Sequence, residues 1–118
     1  MRRERIDPRQ QKGWWVGPWN SDLEVAVGWA TEGIDAPHRH QRMTEIYLVA
    51  NGTATAHVGQ ETIALTAGDV LIVEPGEAHT FLRSSDDYRH FVIHTPALPL
   101  AEARADHVSV PRAELGLA

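Results

Sequence analysis

The chain has 118 residues, a formal net charge of −5, seven histidines and no cysteine. That length suits a single domain with enough chain to bury a core. The missing cysteines remove disulfides and thiolate metal ligands, and an acidic balance with scattered Lys and Arg argues against nucleic acid as a partner. No run approaches the length of a transmembrane helix, and no apolar stretch follows the basic start Arg2-Arg3-Glu4-Arg5. Neither a membrane span nor a signal peptide is expected, which leaves the cytoplasm as the default location.

Residues 1–12 are polar, with Pro8 among them, and read as a loose arm. The next segment, Gly13-Trp14-Trp15-Val16-Gly17-Pro18-Trp19, is aromatic and turn-prone at once. A small domain rarely leaves three tryptophans wet, so this arm should cover the open end of its own fold or the sheet of a neighbour. Leu23 to Ala30 alternates, with Leu23, Val25, Val27 and Trp29 on one face, and predicts a strand with Trp29 in its core. Gly33 to Pro37 is a connection that delivers the chain to His38. Glu45 to Ala50 is β-prone and ends at Asn51-Gly52, which predicts a two-residue hairpin because both central positions of a type I′ turn take positive φ. Thr53 to Val58 would return as the partner strand, with His57 facing solvent.

A second hairpin is predicted through Gly59-Gln60 to Glu61–Leu65. Val70 to Val73 is a short strand with apolar residues on both faces, after which Pro75-Gly76 reverses the chain. His79 to Arg83 and Tyr88 to His94 follow as strands, the second stopped by Thr95-Pro96. His90 and His94 share a face with Val92, which could bring one of them toward an interior cavity; His107 carries no signal. Residues 97–106 suit one or two helical turns, and Val108 to Val110 a short edge strand. Many short strands punctuated by Gly and Pro indicate an all-β sandwich or barrel.

The chemistry concentrates in His38-Arg39-His40-Gln41-Arg42-Met43-Thr44-Glu45 and Pro75-Gly76-Glu77-Ala78-His79. On a strand, positions i and i+2 leave the same face, so His38 and His40 present their rings side by side at roughly 7 Å along the backbone. Two rings at that spacing can each reach one ion at about 2.1 Å. Glu45 lies at an odd offset from His40, so an irregular stretch through Gln41 to Thr44 is needed to turn it inward. Three neutral imidazoles and one carboxylate suit a single divalent transition ion, one of Fe, Mn, Ni, Co, Cu or Zn, rather than Ca or Mg. In an octahedral geometry four protein ligands leave two adjacent positions open, as a catalytic site needs. A positive site calls for an oxygen-rich or anionic small molecule. Tyr47 shares the phase of Glu45, and Arg83 that of His79, so both are candidates to face the substrate, Tyr47 for hydrogen bonding or proton transfer and Arg83 for a carboxylate or enolate.

These residues resemble the cupins, a family of small β-barrel proteins. The first cupin motif runs from a glycine through His-x-His to Glu and a further glycine, places filled here by Gly33, His38, His40, Glu45 and Gly52. Four residues separate Gly33 from His38 where the family usually has five. The second motif is matched by Gly68, Pro75, Gly76 and His79, with Pro75 one place late and Arg83 standing where Asn is usual. The resemblance implies a jelly-roll barrel, the double-stranded β-helix, over residues 21–96, with residues 1–20 an arm exchanged between the subunits of a homodimer and residues 97–118 an extension packing on the barrel. It also implies either dioxygenase activity or metal-assisted isomerase, epimerase or cyclase chemistry. A carbohydrate-binding or sensor barrel without catalysis is the competing class.

Overall fold

The computed structural model describes residues 1–118 as two five-stranded antiparallel sheets facing each other. The strands are β1 (Lys12–Val16), β2 (Ala26–Ala30), β3 (His38–His40), β4 (Thr44–Asn51), β5 (Thr53–Val58), β6 (Glu61–Thr66), β7 (Val70–Val73), β8 (His79–Ser84), β9 (Arg89–Thr95) and β10 (His107–Ser109). The first sheet has the order β1-β2-β9-β4-β7 and the second β10-β3-β8-β5-β6. This is the jelly roll expected from the sequence. A helix α1 (Leu100–Asp106) and a 3-10 turn at Arg112–Leu115 complete the chain.

The core between the sheets follows the inward parity of each strand. Tyr47, Val49 and Val92 from the first sheet meet Ala54, Ala56, Leu65 and Phe81 from the second, with Val73 and Tyr88 closing the cluster. Small Ala54 and Ala56 on β5 leave room for the rings of Tyr47 and Phe81, whose centroids lie 5.0 Å apart in an edge-to-face pairing.

Asn51-Gly52 does not form the predicted hairpin. β4 pairs with β7 and β9, β5 pairs with β6 and β8, and the two strands lie in different sheets. Only Gly52 takes positive φ, at 71°, while Asn51 stays extended. A Cβ at Gly52 would stand 2.4 Å from Ser85 Oγ and 2.9 Å from Tyr88 Cα, so the glycine serves a close-packed corner between sheets. The Gly59-Gln60 turn does close a hairpin, with Val58 opposite Glu61.

The arm splits its tryptophans between two sides of its own first sheet. β1 pairs with β2 of the same chain, with Trp14 opposite Gly28 on the inner side. A Cβ at Gly28 would meet the Trp14 ring at 2.7 Å, so that glycine makes the space Trp14 occupies. Trp15 lies on the outer side against Trp29 and Phe91, with centroids 6.3 and 5.8 Å away. Trp29 is buried there, under the arm rather than between the sheets, because small Ala26, Gly28 and Ala30 are the β2 residues paired with inward-facing His94, Val92 and His90.

Two rows of apolar side chains cross the outer face of this sheet. Ile72, Ile46, Ile93 and Val27 stand in register in one row, and Val70, Leu48, Phe91 and Trp29 in the next. The arm covers the Trp29 end, while Val70 and Ile72 are more than half exposed.

His57 departs from its predicted exposure. It does point to the outer side of the second sheet, but the C-terminal 3-10 turn covers it. Its Nε2 donates to the Leu115 carbonyl at 2.7 Å, and its Nδ1 accepts from the Thr62 hydroxyl at 3.0 Å. A polar ring is tolerated under that turn because both nitrogens are satisfied.

Candidate metal centre

The loop before β3 is strapped to β8, where the Asp35 carboxylate accepts from the Phe81 N–H at 2.7 Å and the Thr80 hydroxyl at 2.8 Å. That strap sets the entry of His38. His38 and His40 then leave the same face of β3, both buried. His79 opens β8 directly opposite His38 and is 1% exposed. Residues 41–43 turn the chain from the second sheet into the first, which resets the strand parity, and Glu45 points back inward from β4. The irregular stretch required by the odd spacing is this sheet-to-sheet corner. Three imidazoles from one sheet thus meet one carboxylate from the other, with Glu45 Oε1 at 3.3, 2.7 and 3.0 Å from the Nε2 atoms of His38, His40 and His79.

The remaining ring nitrogens fix the tautomers. His38 Nδ1 donates to the Ala36 carbonyl at 2.9 Å, His79 Nδ1 to the Glu77 carbonyl at 2.9 Å, and His40 Nδ1 to the Asp106 carboxylate at 3.1 Å. With Nδ1 protonated, each neutral imidazole presents an Nε2 lone pair, and all three lone pairs face a carboxylate oxygen. Lone pairs aimed at an anion repel unless a proton or cation lies among them. A cation beside Glu45 answers these contacts. The donor atoms of His38, Glu45 and His79 lie within 4.8 Å of one another, as do those of His40, Glu45 and His94, so the cluster could hold a divalent ion.

The electrostatics agree with an ionised Glu45. Burial opposes its charge, but contacts from His38, His40, His79 and His94 outweigh burial and hold its carboxyl far below the usual carboxylate range. Burial likewise works against a protonated His38, yet Glu45 and the Ala36 carbonyl carry that pKa above the ordinary value. Tyr47 is buried, and its hydroxyl donates to Glu45 Oε2. Burial, and then the Glu45 charge, push the Tyr47 pKa well up, which keeps it a donor.

Arg83 is not brought to the centre. The register of β5 on β8 pairs Ala56 with Phe81 and Thr55 with Arg83, so Leu82 is an extra residue in a bulge. The bulge breaks the alternation counted from His79 and turns Arg83 out beside Thr53, Thr55 and Thr66. The sequence phase would hold only on an unbroken strand.

A cavity of about 780 Å³ opens from the ligand cluster. Trp14, Trp19, Ile34 and Leu98 form apolar parts of its wall, and Lys12 and Arg104 contribute cations. Glu32 and Asp35 also border it.

The model of the family described as "Cupin domain" matches residues 23–94. The chain belongs to the cupins. An uncharacterised protein of Streptomyces coelicolor is 35% identical over 71 residues, an alignment that takes in 60% of this cupin and 65% of the relative's length. Among solved structures, KdgF from Halomonas sp. is similar, with a TM-score of 0.64, 17% identity, and coverage of 80% of this cupin and 87% of KdgF. Pac13, described as a nucleoside dehydratase and obtained from Streptomyces, gives a TM-score of 0.67 at 14% identity, covering 92% of each chain. Identities this low show the shared fold alone.

The cupin motifs account for four donors; of the other residues around the centre, only His94 had a signal in the sequence, its shared strand face with Val92. Asp106, at the end of α1, has a fully buried carboxylate that accepts from His40 Nδ1, from the Arg42 N–H at 2.6 Å and from the Met43 N–H at 3.4 Å. Only the fold brings it 66 residues back to His40. His107 pairs with His40 across β10 and β3 and stacks on the His38 ring, centroids 4.6 Å apart and planes 15° from parallel. Burial, and then the nearby His38 and His40, lower its pKa. His94, one turn of the alternation beyond Val92, places Nε2 3.1 Å from Glu45 Oε2.

His90 is 6% exposed between Tyr47 and Tyr88, and the Tyr88 hydroxyl donates to its Nδ1 at 2.7 Å. Burial lowers its pKa to about 4, against a weaker upward pull from Glu45. Between that value and the ordinary 6.5 the unfolded chain binds more protons than the folded one, so stability falls as pH drops through this window. Denaturant unfolding of the metal-free protein should therefore lose about 3 kcal/mol between pH 7 and pH 4 that His90→Asn does not lose. Parallel pH profiles for the two proteins would contradict this placement of His90.

Proposed function

We propose that this cupin is a mononuclear divalent-metal enzyme acting on a small oxygen-rich or anionic molecule, by oxygenase chemistry or by metal-assisted isomerase, epimerase or cyclase chemistry. The observation that carries the proposal is the position of the donor cluster at the inner end of an open cavity. A structural ion is normally enclosed by its ligands, whereas a catalytic one keeps a face toward substrate. A bound divalent ion would supply Lewis-acid polarisation of a substrate oxygen or, with a redox-active metal, O₂ chemistry.

The chain's own groups have assigned tasks in this reading. Tyr47 holds Glu45 Oε2 and so fixes the direction of the carboxylate. Trp14 and Trp19 wall the cavity and exclude water, while Lys12 and Arg104 draw an anion toward it. Glu32 offsets part of that attraction, and Asp35 is already engaged by Thr80 and Phe81. Pac13 is a dehydratase on the same fold, which supports non-oxidative chemistry as a workable use of such a barrel.

The test is turnover of candidate keto acids, sugar acids and nucleosides by protein loaded with Fe(II), Mn(II), Co(II) or Zn(II), run aerobically and anaerobically. Metal-dependent turnover that Glu45→Ala abolishes supports the enzyme. Tight binding of a compound with no turnover under either atmosphere would make the protein a binding barrel instead.

The same reading takes the protein as a homodimer. Two apolar rows on the outer face of the first sheet are a contiguous patch of the kind that a second copy covers. Ile72→Asp should convert a dimeric mass in light scattering at micromolar concentration into a monomeric one. A wild-type monomer under those conditions overturns the assignment.

A further inference from the structure

His94 approaches the centre on terms of its own. It stands directly opposite Glu45 in the β4–β9 ladder, so both side chains leave the same face of the first sheet. Its Nε2 lies 3.1 Å from Glu45 Oε2, and the donor atoms of His40, Glu45 and His94 all fall within 4.8 Å of one another. The Trp14 ring packs on the imidazole with centroids 4.6 Å apart, and the His40 ring is 5.1 Å away on another side. The His94 side chain is 14% exposed, more open than the 2 to 9% of His38, His40 and His79.

We propose that His94 is a fifth protein donor to the ion held by His38, His40, Glu45 and His79. The proposal rests on the metal-centre reading above and adds one donor to it. Glu45 Oε2 already receives the Tyr47 hydroxyl, so His94 is not required to satisfy that oxygen. Its Nε2 belongs to a donor group with His40 and Glu45, and that group shares Glu45 with the group formed by His38, Glu45 and His79.

His94 should also be the most labile of the four imidazoles. His38, His40 and His79 each have Nδ1 tied to a carbonyl or carboxylate. No such tether fixes His94, whose orientation depends on the Trp14 ring. A ligand without an outer hydrogen bond is less basic and less well oriented, and therefore contributes less to affinity.

The extra donor narrows the chemistry. Five protein ligands in an octahedral geometry leave one exchangeable position. Oxygenase chemistry that binds substrate and O₂ side by side needs two. A site with one such position fits a substrate that presents a single oxygen, and hence the non-oxidative branch of the proposed function.

The experiment compares full-length wild type, His94→Gln and His79→Ala after loading with Co(II). Chelator competition gives the affinity, and X-ray absorption at the cobalt edge gives the number of imidazoles. Unfolding of the metal-free variants checks that each is folded, with His94→Asn as a second replacement. The expected result is four imidazoles in wild type, three in His94→Gln, and affinity weakened roughly tenfold, the low end of what loss of a ligand-supporting group costs. An unchanged imidazole count in His94→Gln overturns the proposal, whether or not affinity falls, and makes His94 a positioning partner of Glu45. If wild type takes up no Co(II), or His79→Ala binds it like wild type, the metal-centre reading fails and the His94 proposal with it.

Discussion

His79→Ala should abolish stoichiometric metal binding while leaving a folded barrel. His79 is 1% exposed at the start of β8, held between His38 on one neighbouring strand and Val58 on the other. Its Nδ1 is committed to the Glu77 carbonyl, so Nε2 has a fixed direction toward Glu45. Deleting it removes a direct donor, and the loss should exceed the roughly 100-fold ceiling for outer hydrogen-bond partners. Chelator competition with Zn(II) or Co(II) measures it. His57→Ala is the informative control, because it removes a buried histidine from the outer side of the same sheet, where Leu115 and Thr62 rather than the centre are its partners. Equal metal affinity in His79→Ala and wild type would remove His79 from the ligand set.

Asp106 carries the second large effect. Its carboxylate orients His40 and accepts two backbone N–H groups of the corner at residues 41–43, so it couples the C-terminal helix to the turn that presents Glu45. Asp106→Asn should weaken metal binding about 10- to 100-fold, since the amide cannot match the carboxylate as an acceptor for His40. Asp106→Ala should do more. It strands the buried donors of His40 and Met43, each costing about 1–3 kcal/mol when left unpaired, and the part-buried Arg42 N–H, so thermal unfolding of the metal-free protein should drop by several degrees. If both variants keep wild-type affinity and melting behaviour, the carboxylate has no part in shaping the centre.

Most strands, and the convergence of His38, His40 and His79 on Glu45, were legible in the sequence because each depends on local parity and turn chemistry. β1, read only as part of an arm, was not. Thr53–Val58 and Val70–Val73 have the bounds that their patterns predict. His38 and His40 share a face because nothing interrupts β3. Parity fails where the chain changes sheets or gains a residue. Asn51-Gly52 has the composition of a hairpin, but its strands find partners elsewhere, and the same dipeptide serves a corner. The bulge at Leu82 sends Arg83 outward for a related reason, since nothing in Phe81-Leu82-Arg83 announces an extra residue.

The groups that were not legible are those placed by tertiary contact. Asp106 reaches His40 only because β10 docks beside β3; the inward phase of His94 was legible beside Val92, but its meeting with Glu45 depends on the pairing of β9 with β4. The burial of His57 depends on a C-terminal turn that sequence alone leaves without a docking place. In each case the side chain's own neighbours in sequence are ordinary, and long-range pairing decides its role.

The central claim is that four donors from two sheets share one ion. Crystals grown with Co(II) or Zn(II), and measured on both sides of the metal's absorption edge, test it most directly. The account predicts one anomalous peak per chain, at about 2.0–2.2 Å from the Nε2 atoms of His38, His40 and His79 and from a Glu45 oxygen. A peak away from these four side chains, or no peak with the metal in excess, would contradict it.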